Sequence, residues 1–414
     1  MEKIRMGFVG LGQRGQSMLN TFLAYSVIDV VAVCDVYQDR VDLASKVIQE
    51  KRNHEPRKYL DFQEMLKDKE IDAVYIASSW EEHIKQAILT MKANIPVAME
   101  VGGAYDIKDC WELVKTYEKT KTPIMMMENC CYDKFETLVT SLAREGTFGE
   151  IVHCHGAYSH DLRKEITEGN INRHYRLRNY ISRNCENYPT HELGPIAKLL
   201  NINHGNRFVS MVSIASKSRG LEEYIKSGRC PDKSLDGVKF KQGDVVSTII
   251  TCENGETITL TLDTTLPGFY SRQMTVKGTK GLALQEPNMV LLDDGHEEIW
   301  NTTKSISKYL NNANEYKDHL PKYWREITEE QINLGHGGMD FYMVGAFIDA
   351  LVNKTPMPID VYDCAAWYAI TPLSAKSIAN GGRVYKIPDF TRGKYKTSKQ
   401  KEAFDKEANY EKYF

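Results

Sequence analysis

The chain has 414 residues, 42% hydrophobic and 26% charged, an ordinary globular composition with room for two or three domains. Lys and Arg total 53 against 56 Asp and Glu, a net charge of -3, which is not the basic footprint of a nucleic-acid binder. No apolar run approaches the ~18 residues of a membrane span, and the opening MEKIRMGFVG breaks into glycine without a cleavage pattern, so neither a membrane partner nor a secretory signal is expected.

Residues 4–9, IRMGFV, read as a buried strand. Gly10-Leu11-Gly12-Gln13-Arg14-Gly15 follows and opens a helical stretch. A second strand over residues 30–34 ends in Asp35, 20 residues after Gly15. A G-x-G-x-x-G alone is a weak signal, but between strand and helix, with an acid at that distance, it is the dinucleotide-binding arrangement. Gly10 permits the turn, Gly12 lets the pyrophosphate approach, and the helix N-terminus faces its charge. Asp35 suits ribose hydroxyls and repels a 2′-phosphate, so NAD is expected rather than NADP. Helices over 41–51, 81–92 and 107–119 then alternate with strands over 71–77, 95–99 and 123–127. That alternation predicts an α/β domain with a parallel, doubly wound Rossmann sheet over residues 1–150. Segments 78–83, 100–101 and 128–129 fall at the strand ends where such sheets bind ligands. Trp80 there either packs on the nicotinamide side of the cofactor or fills the core.

Past residue 150 the pattern changes. Strands are expected at 151–160, 208–215, 245–252, 257–263, 273–277 and 289–292, with few helices between them before residue 315. A second α+β domain with an open, mostly antiparallel sheet is expected over 151–390. Residues 217–243 read as a long polar loop, and 313–330, 338–352 and 361–379 as helices. Residues 391–414 form a charged tail with aromatics, lying on the surface or on a neighbouring subunit. The nine cysteines include no C-x-x-C pair, so reduced buried thiols in the cytoplasm are expected, with a removed export signal left open. His153, Cys154, His155 and His160 include an H-x-H spacing, but no companion C-x-x-C or H-E-x-x-H supports it, so no metal is expected.

A Rossmann domain followed by an open antiparallel sheet resembles the Gfo/Idh/MocA oxidoreductases. Those enzymes usually carry Glu-Lys-Pro after the fifth strand, where this chain has Glu100-Val101-Gly102. Val101 cannot take a proton, so ordinary sugar dehydrogenation loses a usual participant. Five segments are similar to one branch, glycoside hydrolase family 109, the NAD-dependent α-N-acetylgalactosaminidases. They are Glu100-Val101, Glu128-Asn129-Cys130-Cys131-Tyr132, Tyr188-Pro189-Thr190-His191, Leu266-Pro267 with Tyr270-Ser271-Arg272, and Gly335-His336-Gly337-Gly338-Met339-Asp340.

The resemblance implies cleavage of a terminal, α-linked N-acetylgalactosamine. The route is transient oxidation at carbon 3, elimination across carbons 1 and 2, water addition and re-reduction, with a tightly bound NAD recycled each turnover. It implies His191 as the base at carbon 3; the residue sits at the start of a helix opening at Glu192, and imidazole titrates near neutrality. It implies Tyr158 as a sugar contact and the base at carbon 2. Period two puts Tyr158 on one strand face with Cys154 and His160, opposite His153 and His155. Arg176 matches the family's substrate arginine, with Arg178 a close competitor. Tyr188 and Tyr270 are further substrate contacts, Tyr270 following a Pro-Gly turn that closes the pocket. By the same carry-over Gln13, Arg14, Asp35, Trp80, His83, Glu100, Val101, Asn129 and Tyr188 line NAD, beside Gly10, Gly12 and Gly15. The partner is a small glycoside, and exposed sheet faces leave a homo-oligomer open. The rival readings are an NAD-dependent sugar or inositol dehydrogenase and a catalytically idle NAD-binding regulator.

Overall fold

The computed structural model describes residues 3–293, 306–398 and 406–414. They form two compact units. The first contains the residues up to Tyr132, Lys322–Ala365 and the described C-terminus; the second contains Asp133–Pro321 and the segment from Ala366 onward. No helix among the described residues is long and apolar enough to cross a membrane.

The first unit holds a parallel sheet of β1 (Ile4–Val9), β2 (Ile28–Cys34), β3 (Arg57–Tyr59), β4 (Ala73–Ile76), β5 (Val97–Glu100) and β6 (Ile124–Met127), in the order β3-β2-β1-β4-β5-β6. The inner strands β4 and β5 are buried on both faces, which is why they read as largely apolar runs. Helices Gln13–Ala24, Gln38–Arg52, Trp80–Lys92 and Ile107–Thr120 supply the crossovers. Asp106 starts the last of these by accepting from the Lys108 N–H, and Lys121 ends it with φ 60. The doubly wound sheet expected from the alternation is therefore present. Strand order reverses between β1 and β4, so the loops after those two strands open at the switch point where ligands bind.

Phe8, Phe22 and Tyr75 pack with centroids 5.0 to 5.2 Å apart and form the centre of this core. The late helix Met339–Val352 joins them: Tyr25 stacks on Phe341 at 4.8 Å and donates to its carbonyl at 2.6 Å. The tail departs from expectation. Tyr410 and Tyr413 are buried, and Phe414 meets the Phe341 ring edge-on at 5.3 Å, so these aromatics pack on their own chain.

The second unit holds a mixed sheet. Its strands are β7 (Ile151–Ser159), β8 (Phe208–Ala215), β9 (Val245–Cys252), β10 (Thr257–Asp263), β11 (Thr275–Gly278), β12 (Gly281–Leu284), β13 (Met289–Leu292) and β14 (Tyr385–Lys386). The order is β13-β12-β11-β7-β10-β9-β8-β14, with only the β7–β10 pair parallel. Alternation is plain in β9, where every second residue is buried. The inner face packs on helix Thr190–Leu199: a Cβ at Gly156 would lie 2.9 Å from the Glu192 Cβ.

Three expectations for this half fail. Four helices (Arg163–Thr167, Gly169–Asn172, Arg176–Ser182 and Thr190–Leu199) separate β7 from β8, where few were expected. Apart from Thr190–Leu199, whose opening at Glu192 was expected, they are short and bury several polar side chains, so no long apolar period announces them. The supposed loop 217–243 contains helix Gly220–Lys226, whose first N–H is held by Asp244 at 3.0 Å. The helix expected over 313–330 is broken into Asn312–His319, Lys322–Arg325 and Glu329–Ile332, because Pro321 interrupts the backbone ladder and Thr328 starts a new capping box. β3, β12 and β14 were not anticipated; they are 3, 4 and 2 residues long, too short to show a period.

Candidate active site

In the first unit the glycine loop leaves β1 and turns into helix Gln13–Ala24. Gly10 has φ +83, and a Cβ there would lie 2.4 Å from the Ala77 carbonyl carbon. A Cβ at Gly15 would lie 1.9 Å from the Gly10 oxygen. Gly12, by contrast, meets only the Arg40 guanidinium, at 3.4 Å, so that position is kept clear for a ligand. No side chain caps the helix, and Gln13 at its start is exposed, which leaves its first N–H groups to an anion. Asp35 ends β2, accepting from Leu11 N–H at 2.7 Å and Tyr37 N–H at 3.0 Å, with Val36 beside it 76% exposed. This cradle fits the pyrophosphate and adenosine of a dinucleotide. We expect Gly10→Ala to cost at least about 2 kcal/mol, because an L side chain is forced into left-handed backbone and into the β4 loop. It should also abolish NAD binding. A melting curve and an NAD titration check both effects, and wild-type values in the variant would refute the assignment.

Glu100 and Asn129, at the ends of β5 and β6, belong to a buried ionic network. Arg14 donates to Glu100 at 3.0 Å and to both oxygens of Asp340 at 2.8 and 3.0 Å. Tyr75 donates to Glu100 at 2.8 Å, and the Asn129 amide to Asp340 at 2.9 Å. His336 Nδ1 lies 2.7 Å from Asp340. Burial opposes ionisation of Asp340, yet Arg14 and His336 hold its carboxyl well below the usual range. Arg14 is thus tied to carboxylates at the lip of the glycine loop. Val101 is buried, its N–H 3.3 Å from Glu100. Asp340 and His336 were not singled out as site residues. Their signal was the string Gly335-His336-Gly337-Gly338: three positive-φ glycines, with a Cβ at Gly335 falling 2.4 Å from Asp340 Oδ2.

Trp80 and His83 open helix Trp80–Lys92 and are both buried. The Trp80 indole lies against Gly102, where a Cβ would sit 2.7 Å from Cδ1. His83 Nε2 lies 3.0 Å from the Ser78 carbonyl, and burial lowers the imidazole to about 4, so it is uncharged at neutral pH.

In the second unit a cluster of rings gathers at the ends of β7 and helix Thr190–Leu199. Tyr158 lies 4.7 Å from Tyr188 and 5.4 Å from His191, and Tyr188 meets His191 edge-on at 4.8 Å. Tyr270 stands 6.3 Å from Tyr158 and 5.1 Å from His160. The Arg176 guanidinium lies 4.9 Å over the Tyr188 ring, with Glu165 2.8 Å from its Nε. Arg178 is exposed while Arg176 is buried, because neighbouring helical positions face apart. The helix begins at Thr190, so His191 lies in its first turn. The five residues Tyr158, Arg176, Tyr188, His191 and Tyr270 are therefore brought together.

His160, placed on the face of Tyr158 by strand alternation, and Glu165 join them. His160 Nδ1 lies 3.3 Å from the Tyr158 hydroxyl, and burial with the Arg176 charge lowers its imidazole. His153 and His155 lie across the strand, against Thr257 at 2.8 Å and Thr261 at 3.3 Å. Strand alternation could have paired His160 with Tyr158 as a site residue. Nothing local points to Glu165.

Sequence comparison matches residues 132–397 to the model of "Glycosyl hydrolase 109, C-terminal domain" and residues 4–128 to "Oxidoreductase family, NAD-binding Rossmann fold". An α-N-acetylgalactosaminidase of Tannerella forsythia is 37% identical over 95% of this chain and 87% of that protein. A glycosyl hydrolase family 109 protein of Stenotrophomonas maltophilia is 37% identical over 97% of this chain and 92% of its own. Among solved structures, levoglucosan dehydrogenase with NADH and levoglucosan has a TM-score of 0.69 at 15% identity, covering 94% of this chain and 100% of that one. Myo-inositol 2-dehydrogenase from Lactobacillus plantarum has a TM-score of 0.65 at 13% identity, covering 94% and 100%. Likeness at that identity is a likeness of fold.

Proposed function

Because the chain belongs to glycosyl hydrolase family 109, we propose that it hydrolyses terminal α-linked N-acetylgalactosaminides with a tightly held NAD that is restored in every turnover. The observation that carries this reading is the cluster of Tyr158, Tyr188, His191 and Arg176 inside the span of the family match. A two-carboxylate glycosidase needs a pair of acids flanking the bond. Here, among the described residues, phenols, imidazoles and a guanidinium gather around a single carboxylate, Glu165, which is engaged by Arg176.

Bound NAD supplies the reversible oxidation of carbon 3 that acidifies the proton on carbon 2. The glycine loop and the first turn of helix Gln13–Ala24 hold its pyrophosphate, and Asp35 its ribose. His191 takes the proton of the carbon 3 hydroxyl and returns it at the end of the cycle. Tyr158 takes the proton from carbon 2, and His160, whose Nδ1 lies 3.3 Å from the Tyr158 hydroxyl, accepts the phenol's own proton. The aglycone then leaves carbon 1 with the bonding electron pair, and water adds its hydroxyl there while Tyr158 returns a proton to carbon 2. Arg176 binds sugar oxygens from above Tyr188. The work is placed in a reducing cytoplasm, a reading supported by nine free, buried cysteines.

Protein purified without added NAD should release nitrophenol from 4-nitrophenyl α-N-acetylgalactosaminide with no net rise at 340 nm. NADH accumulating from free sugar and added NAD⁺, without nitrophenol release, would replace this reading with the dehydrogenase.

A further inference from the structure

We propose that His336 is a further cofactor-binding residue, whose Nε2 pairs with a hydroxyl of the ribose that carries the nicotinamide. The proposal rests on the NAD reading above and adds a residue that holds the second half of the dinucleotide.

Gly335, His336, Gly337 and Gly338 all have positive φ, and His336, at φ 44, is the one with a side chain. Left-handed backbone is uncommon for a residue with a Cβ, and such strain persists where the surroundings impose it. Here the loop wraps the Asp340 carboxylate. That carboxylate is fully buried, and a Cβ at Gly335 would fall 2.4 Å from its Oδ2. The same oxygen lies 2.7 Å from His336 Nδ1 and accepts from Arg14 Nη1 at 2.8 Å. These contacts fix the tautomer. An ionised carboxylate only accepts, so the hydrogen of the shorter bond sits on Nδ1. Arg14 Nη1, 3.3 Å from Nδ1, only donates and finds no lone pair there. In the neutral ring Nε2 is therefore an acceptor. No described residue hydrogen-bonds to it, and the His336 side chain is 53% exposed.

Position names the ligand. Arg14, two residues past Gly12 in the pyrophosphate loop, lies against His336. Arg14 donates to Glu100 at the end of β5, and Asn129, just past β6, donates to Asp340. His336 thus belongs to the β4–β6 side of the switch point, away from Asp35 at the end of β2. A dinucleotide with its adenosine ribose at Asp35 crosses at the pyrophosphate and lays its second nucleoside on the β4–β6 side. The groups of that nucleoside next to the pyrophosphate are ribose hydroxyls. A hydroxyl donates to Nε2 in the neutral ring and accepts from it in the charged ring, so it suits both forms. A phosphate oxygen only accepts, and would set two lone pairs against each other in the neutral form.

The test is equilibrium dialysis of the full chain with radiolabelled NAD, followed by competition with ADP-ribose and with ADP. It is run on wild type, His336→Asn, His336→Gln and His336→Ala, with melting temperatures alongside. Asparagine tolerates left-handed backbone and keeps a donor for Asp340, but has nothing at the Nε2 position. His336→Asn should weaken NAD and ADP-ribose by about 5- to 10-fold, the worth of one hydrogen bond. ADP has the pyrophosphate and no second ribose, so its affinity should stay within about twofold. His336→Gln, whose amide reaches toward the Nε2 position, should recover most of the loss. A merely structural histidine would be replaced by asparagine without effect on any of the three ligands, and that result overturns the proposal. Equal losses for all three ligands overturn it, because His336 would then act on the pyrophosphate. Loss for NAD alone overturns it by moving the contact to the nicotinamide ring. His336→Ala repeats the comparison of ADP-ribose with ADP, so the proposal is decided even if the asparagine variant fails to fold. Wild type that binds none of the three ligands overturns the NAD reading and this proposal with it.

Discussion

Replacing His191 with Ala should lower kcat/KM on the N-acetylgalactosaminide by about 10²- to 10⁴-fold, the range of a lost general base, while NAD stays bound. His191 meets the Tyr158 and Tyr188 rings at 5.4 and 4.8 Å, so its removal opens one side of the cluster without disturbing the sheet beneath. The loss should fall on kcat rather than KM, because the hydroxyl proton moves only in the reaction. Single-turnover nitrophenol release with an NAD titration separates the two quantities. Turnover within tenfold of wild type would remove His191 from the mechanism and leave His160 as the imidazole to examine.

Asp340→Asn should destabilise the first unit by about 2 kcal/mol, because Arg14 loses its two charge-assisted bonds to Asp340 and keeps only the one to Glu100. Arg14 lies between Gly12 and Gly15, so NAD affinity should fall with stability. The pH dependence has a definite sign. Arg14 and His336 depress the Asp340 carboxyl despite its burial, so its contribution is complete above the unfolded value of about 3.9. That contribution disappears as pH falls through the lower, folded value. Wild type should therefore be more stable than Asp340→Asn from pH 7 down to about 4, and the two stability curves should converge in stronger acid. Denaturant melts across that range decide it, and curves that coincide at pH 7 would show that the pair contributes nothing.

The cofactor half was the more legible half. Gly10, Gly12, Gly15 and Asp35 lie within one strand, one turn and the next strand, and each requirement is local: a positive φ, a close approach, an acid at a strand end. Strands β8, β9, β10 and β13 fall at their expected residues because period two is also local. The three helices between β7 and Thr190 were missed because several of their buried positions are polar: Arg163, Thr167, Arg176 and Asn179 hide where apolar residues were sought. The same feature that obscured them, polar groups turned inward, is what the ligand-facing cluster is made of.

Chain order by itself determined the fold class, the nucleotide loop and the strand face that carries Tyr158, since glycine conformation and alternation act over a few residues. Tertiary structure alone decided which polar groups meet. It brought Arg14 to Asp340 across 326 residues and Arg272 to Glu136 across 136. It also made Arg176 rather than Arg178 the arginine over Tyr188. A buried charge is tolerated only where a counter-charge is delivered to it, and its partner is chosen by how distant elements pack rather than by spacing along the chain.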